Sequence, residues 1–147
     1  MNYIHLATIS MLPVVELRGA IPIGISYGLS TIYVYITCVL ASTLVAIPLI
    51  IFFRKALYIL KKHKVFYKIG YIIDEKINKR MKKLKSVSIL GIIMFVAIPL
   101  PTTGVWTTSA IASLLKMRIK YAILGVFIGN MISGILVSIL SLGIIYL

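Results

Sequence analysis

Glu16 and Arg18 are the only charged residues outside two basic clusters, and both sit in a segment that is otherwise apolar. An ionised side chain at the centre of a membrane segment costs at least about 2.5 kcal/mol on the most lenient scale, which makes such a residue a functional candidate by default. Lying between Pro13 and Pro22, Glu16 has the chemistry of a carboxyl that loads and releases a proton, with Arg18 or a bound ligand as its partner. The plainer reading makes the two a hydrated interfacial pair that fixes a turn. A second polar stretch lies far along the chain: Pro99, Pro101, Thr102, Thr103, Gly104, Trp106, Thr107, Thr108 and Ser109. Hydroxyls and freed backbone groups there can coordinate an ion or a polar headgroup, and a helix beginning after Gly104 would draw an anion to its first amides. Alternatively the hydroxyls serve only the carbonyls that Pro99 and Pro101 release.

Groupings for bond-making chemistry are missing. The sequence has no Ser-His-Asp or Cys-His set, no glycine-rich phosphate loop with its lysine, and no zinc spacing. Cys38 is the single cysteine, His5 and His63 are far apart, and the three acids are Glu16, Asp74 and Glu75. An enzyme, a bound metal and a cofactor are therefore not expected.

The elements that must hold Glu16 and the threonines are membrane segments. Of 147 residues, 61% are hydrophobic and 13% charged, with 16 Lys and Arg against 3 Asp and Glu; a soluble domain carries about a quarter charged residues. Residues 31–53 and 121–147 are uncharged and long enough to cross about 30 Å of hydrocarbon. Residues 1–30 and 86–115 are apolar but interrupted by their prolines, which break a straight helix. The basic blocks from Arg54 to Lys85 and from Lys116 to Lys120 both belong in the cytoplasm by the positive-inside rule. Residues 86–115 must then cross zero or two times, and they have the length for two half-helices reaching about 18 Å each, so a re-entrant hairpin is expected; the alternative is a kinked spanning helix, with the three basic residues at 116–120 carried outside.

Sliding the chain by 88 residues brings Leu12-Pro13 onto Leu100-Pro101 and the first span onto the second. The expected fold is thus an all-α integral membrane protein built as an inverted repeat. Residues 1–53 form the first unit (hairpin 1–30, span 31–53), residues 54–85 a cytoplasmic linker, and residues 86–147 the second unit (hairpin 86–115, span 121–147). In the linker, Phe66, Ile69, Ile73, Ile77, Met81 and Leu84 recur at helical spacing among lysines. That is an amphipathic helix suited to anionic lipids along Arg54 to Lys85, and a basic loop tethered between apolar halves needs no nucleic acid to explain it. Gly125, Gly129 and Ser133 form a small-residue stripe in the last helix, with Asn130 beside it as an interhelical hydrogen bonder. The stripe suits packing inside the chain or a homodimer.

The runs Glu16 to Pro22 (ELRGAIP) and Pro99 to Thr108 (PLPTTGVWTT) resemble the two signature segments of the small multi-drug export family of prokaryotic membrane proteins. That family is in turn distantly similar to the DedA-like superfamily. The resemblance implies a multi-pass protein of the prokaryotic cytoplasmic membrane with two opposed re-entrant hairpins. Glu16 with Pro22 looks like the acidic hairpin motif of DedA-like proteins, and Ile98-Pro99 like the start of their second motif. Where those proteins place arginines after that proline, this chain has hydroxyls and Trp106, which speaks against phosphate binding there. The leading expectation is a small secondary exporter, proton-coupled through Glu16, with an unidentified small-molecule or lipid substrate held between the hairpin tips. The alternatives are a DedA-like flippase for lipid or polyprenyl-phosphate carriers, and a substrate-free, holin-like pore protein.

Overall fold

A computed structural model describes residues 2–62, 89–99 and 104–145. Among these residues all regular structure is helical. Two short helices, α1 (Tyr3–Met11) and α2 (Glu16–Ser26), precede the long α3 (Thr31–Lys62). After them come the helical residues 89–97, called α4, then the short α5 (Val105–Leu114) and the long α6 (Ile119–Ile145). The expected amphipathic helix of the linker, together with Pro101, Thr102 and Thr103, lies outside the described residues.

The breaks fall largely where the prolines require them. Residue 97 is the last helical residue of α4, two before Pro99, because proline disfavours a helical residue ahead of it. Helix α1 stops at Met11, and Leu12 to Val15 turn the chain around Pro13. Pro22 departs from expectation: it sits inside α2 rather than breaking it. A proline in a helix interior removes one ladder bond, and packing of the flanking turns can outweigh that loss; Leu17, Ala20, Ile21 and Gly24 of α2 are all buried. Helix α3 also carries Pro48 without stopping. It runs on through Arg54 and Lys55 to Lys62, past the expected end of the span at Phe53, since lysine and arginine are good helix formers.

Local geometry recurs at a spacing of 88 residues. At the end of α2 the amides of Tyr27, Gly28 and Leu29 donate to the carbonyls of Ile23, Ile25 and Gly24; at the end of α5 those of Leu115, Lys116 and Met117 donate to Ile111, Ser113 and Ala112. Each set closes its helix with one left-handed residue, Gly28 (φ 75°) in the first and Lys116 (φ 50°) in the second. Thr31 and Ile119 then open the long helices in the same register.

Helices α3 and α6 are the two segments long and apolar enough to cross a membrane, over Thr31–Ile59 and Ile119–Ile144. They run antiparallel. Ala46, Leu49 and Ile50 of α3 share one core cluster with Ala122 and Val126 of α6, whereas Val34, Cys38 and Val39 share the other with Val137. Their outer faces leave Ile32, Leu40, Leu44, Ile51, Ile132, Ile139 and Leu140 exposed, an apolar surface fit for lipid rather than water. Between the two clusters lies a polar level: Ser42 and Thr43 of α3 accept hydrogen bonds from the Asn130 amide at 3.3 and 3.2 Å.

Candidate functional site: the junction of the two broken segments

Glu16 opens α2 with a left-handed backbone (φ 48°), a conformation that costs a non-glycine residue on the order of 1 kcal/mol and marks a site under constraint. Its side chain, 6% exposed, crosses to the start of α5. There Oε1 accepts the Trp106 backbone N–H at 3.4 Å, and the Val105 amide faces the same carboxylate. A helix N-terminus has unpaired N–H groups and a partial positive charge, so a carboxylate is a stabilising occupant. Gly104 makes the approach possible, because a Cβ at that position would fall on the Glu16 carboxyl group.

Arg18 reaches the other broken helix of the second segment, where its Nη2 donates to the Val96 carbonyl at 3.0 Å, in the last turn of α4. A cation suits the negative end of a helix as an anion suits the positive end. In return, the Trp106 indole N–H donates to the carbonyl of Met11, the last residue of α1, at 3.3 Å. Each broken segment therefore supplies a donor to the end of the other segment's first helix, and Glu16 closes the start of α5.

The threonines divide. The Thr107 hydroxyl accepts the Gly104 N–H and lies 3.1 Å from the Gly104 carbonyl, to which Thr108 donates at 2.7 Å. These two hydroxyls serve the turn itself. Pro99 lies two residues past the end of α4, and Pro22 lies in α2 beyond Arg18. Gly125 and Gly129 are used within the chain, since a Cβ on them would come within 2.9 Å of Ile92 and 2.6 Å of Val96 in α4. Ser133 and Asn130 are fully buried.

Sequence reasoning did not foresee Ser42 and Thr43 as partners of Asn130, although 88 residues separate Ser42 from Asn130. Nor did it foresee Arg54, whose guanidinium donates to the Met117 carbonyl just past the end of α5. That bond brings the basic cluster at Lys116 to Lys120 to the same end of the bundle as the basic end of α3.

A helical membrane bundle whose one described carboxylate joins two broken apolar segments defines the class of this molecule. The profile of the small multi-drug export protein family matches residues 16–136, starting at Glu16, and the chain belongs to that family. Searches of curated proteins and of solved structures each return no significant match. The family is one of exporters, so a membrane transport role is the coarse function.

Proposed function

We propose that the protein is a small secondary exporter, proton-coupled through Glu16, with its site at the junction of α1–α2 with α4–α5. The observation that carries this reading is the buried Glu16 carboxylate seated on the first amides of α5. A carboxyl held by a few hydrogen bonds at mid-height can exchange its helix contacts for a proton, and so alternate between locked and released junctions.

In this reading the two broken segments are re-entrant hairpins. The arms of the first have 9 and 11 residues and reach about 14 to 17 Å, half of a hydrocarbon layer. Its tip is apolar and open, with Leu12 51% and Val14 86% exposed, a composition that suits lipid and not water. The halves form an inverted repeat, supported by the 88-residue recurrence of helix-end bonds and by the opposite directions of α3 and α6. The membrane is the prokaryotic cytoplasmic membrane, with the Arg54 and Lys116 end inside, against anionic lipid. A homodimer would give so small a bundle a closed pathway.

The test is transport of ethidium by proteoliposomes across an imposed pH gradient. Wild type moves the dye with a dependence on pH, and Glu16→Gln loses that dependence. Equal transport by Glu16→Gln with the same pH profile removes proton coupling. Exposure of Leu12 and Val14 beside Glu16 favours one other reading, a DedA-like flippase admitting a lipid headgroup sideways; redistribution of labelled polyprenyl phosphate above that in empty vesicles would support it.

A further inference from the structure

Seven polar side chains of α5 and α6 lie inside the bundle: Thr108, Ser109, Ser113, Asn130, Ser133, Ser138 and Ser141, each at most 8% exposed. Ser109 Oγ, Asn130 Oδ1, Ser133 Oγ and Ser138 Oγ make no hydrogen bond there. Burying a hydroxyl or amide group without a partner costs roughly 1 to 3 kcal/mol.

Packing does not demand these groups. Shifting by 88 residues, the spacing at which the helix-end bonds recur, finds Ala20, Ile21 and Ile25 in place of Thr108, Ser109 and Ser113. It finds Val45, Ile50 and Phe53 in place of Ser133, Ser138 and Ser141. Asn130 falls on Ser42, which is also polar and buried; at the other six positions the first half has hydrocarbon where the second has hydroxyls, so the polarity of the second half has a use of its own.

Their heights form a series. Ser113 and Ser109 lie on α5 between Gly104 and the basic end. Asn130 lies about one turn beyond Val126, which shares a core cluster with Val105 where α6 turns back past α5 through Leu115 to Arg118. Ser133, Ser138 and Ser141 continue along α6 toward the opposite end, on a face about 140° wide. From Ser113 to Gly104 is about 13 Å and from Asn130 to Ser141 about 16 Å, together close to one hydrocarbon thickness. Glu16, on the Gly104 end of α5, stands at the middle of the series.

We propose that these side chains form a proton path through the bundle, with Glu16 as its central carrier; this rests on the reading of Glu16 as the coupling residue. At each hydroxyl oxygen a proton arrives on a lone pair and the hydroxyl's own proton leaves for the next acceptor, so one O–H bond forms as another breaks; the Asn130 Oδ1 carries no proton and only accepts a hydrogen bond from a bridging water, which makes the transfer at that level. Water from either end bridges the gaps, the longest of them along α6 being about 7.5 Å of rise from Ser133 to Ser138, and hydroxyls at both sides can hold it. Glu16 takes one proton to become the neutral acid and returns to the carboxylate when it passes on. The titratable groups on helices packed against α2 are Tyr3 and His5 on α1, Tyr33, Tyr35, Cys38, Arg54, Lys55, Tyr58, Lys61 and Lys62 on α3, and Lys120 and Tyr121 on α6. Arg18 is the one on its own helix, and no second carboxylate is present among them to share the proton.

The experiment is proton flux into proteoliposomes loaded with ethidium and holding a pH-sensitive dye, driven by a potassium diffusion potential, because a coupled exporter takes up protons only as substrate leaves. Ser109 and Ser133 are each changed to Thr and to Val, which have nearly the same shape and differ in the hydroxyl. Both Val variants lower the flux at least tenfold, the Thr variants keep it, Glu16→Gln abolishes it, and Ser26→Ala, at an exposed hydroxyl outside the series, leaves it unchanged. A triple change of Ser109, Ser133 and Ser138 to Ala, verified as folded by its melting curve, gives the same loss without added bulk. Flux in the wild type no higher than in empty vesicles overturns the path. Val and Ala variants that match wild type while Glu16→Gln is inactive also overturn the path and leave Glu16 coupling standing. Glu16→Gln with full flux overturns both.

Discussion

At the residue scale, the decisive contact is between Glu16 and Gly104, 88 positions apart in sequence and adjacent in space. Gly104→Ala puts a methyl group onto the carboxylate, so either the acid leaves the α5 amides or the helix moves. Overpacking of this kind costs about 1 to 3 kcal/mol. The expected outcome is a fall in melting temperature of several degrees in detergent together with loss of transport; an unchanged melting curve would mean that Glu16 relaxes freely. The acid's identity as a candidate was legible, because a charge in an apolar run stands out in any sequence. Its occupation of a helix N-terminus was not, since the partner lies at a separation that no local pattern encodes.

At the element scale, the short helices end on groups borrowed from one another. Trp106 gives its indole N–H to the end of α1, and Arg18 its guanidinium to the end of α4. Trp106→Phe keeps most of the ring packing and removes the donor, so a loss of about 1 kcal/mol is expected from a chemical denaturation series in detergent. A loss well above that would mean that the ring, rather than the hydrogen bond, holds the junction. Start and stop signals read well here: Gly104 before α5 and Pro99 after α4 were visible as such. Pro22 was misread as a break, because whether a helix survives a proline depends on how its neighbouring turns pack. The extension of α3 to Lys62 was missed for a related reason, since a basic residue ends a hydrophobic run without ending a helix.

At the scale of the whole molecule, one end carries the described cations other than Arg18. Arg54 on the Met117 carbonyl ties that end of α3 to the loop before α6, and the Ser113 hydroxyl adds a 3.1 Å bond to the Ile50 carbonyl. With Cys38 replaced by alanine, single cysteines at Lys55 and Arg118, both exposed, are expected to react with an impermeant maleimide from the same face of inverted vesicles. Ser30→Cys is expected to react from the other face. Labelling of Lys55→Cys and Arg118→Cys from opposite sides would contradict the arrangement. The charge pattern alone pointed to this shared side, whereas the bond that holds the two clusters together required three-dimensional proximity.

The Arg54 anchor also fixes a ruler. From Thr31 to the last uncharged residue before it, α3 is about 35 Å long at 1.5 Å per residue, against roughly 30 Å of acyl chain in an ordinary bilayer. The excess is taken up by leaning the bundle about 30° from the membrane normal or by thickening the surrounding lipid. Vesicles of long-chain phospholipid let it stand more upright, and short-chain ones press it toward the membrane plane.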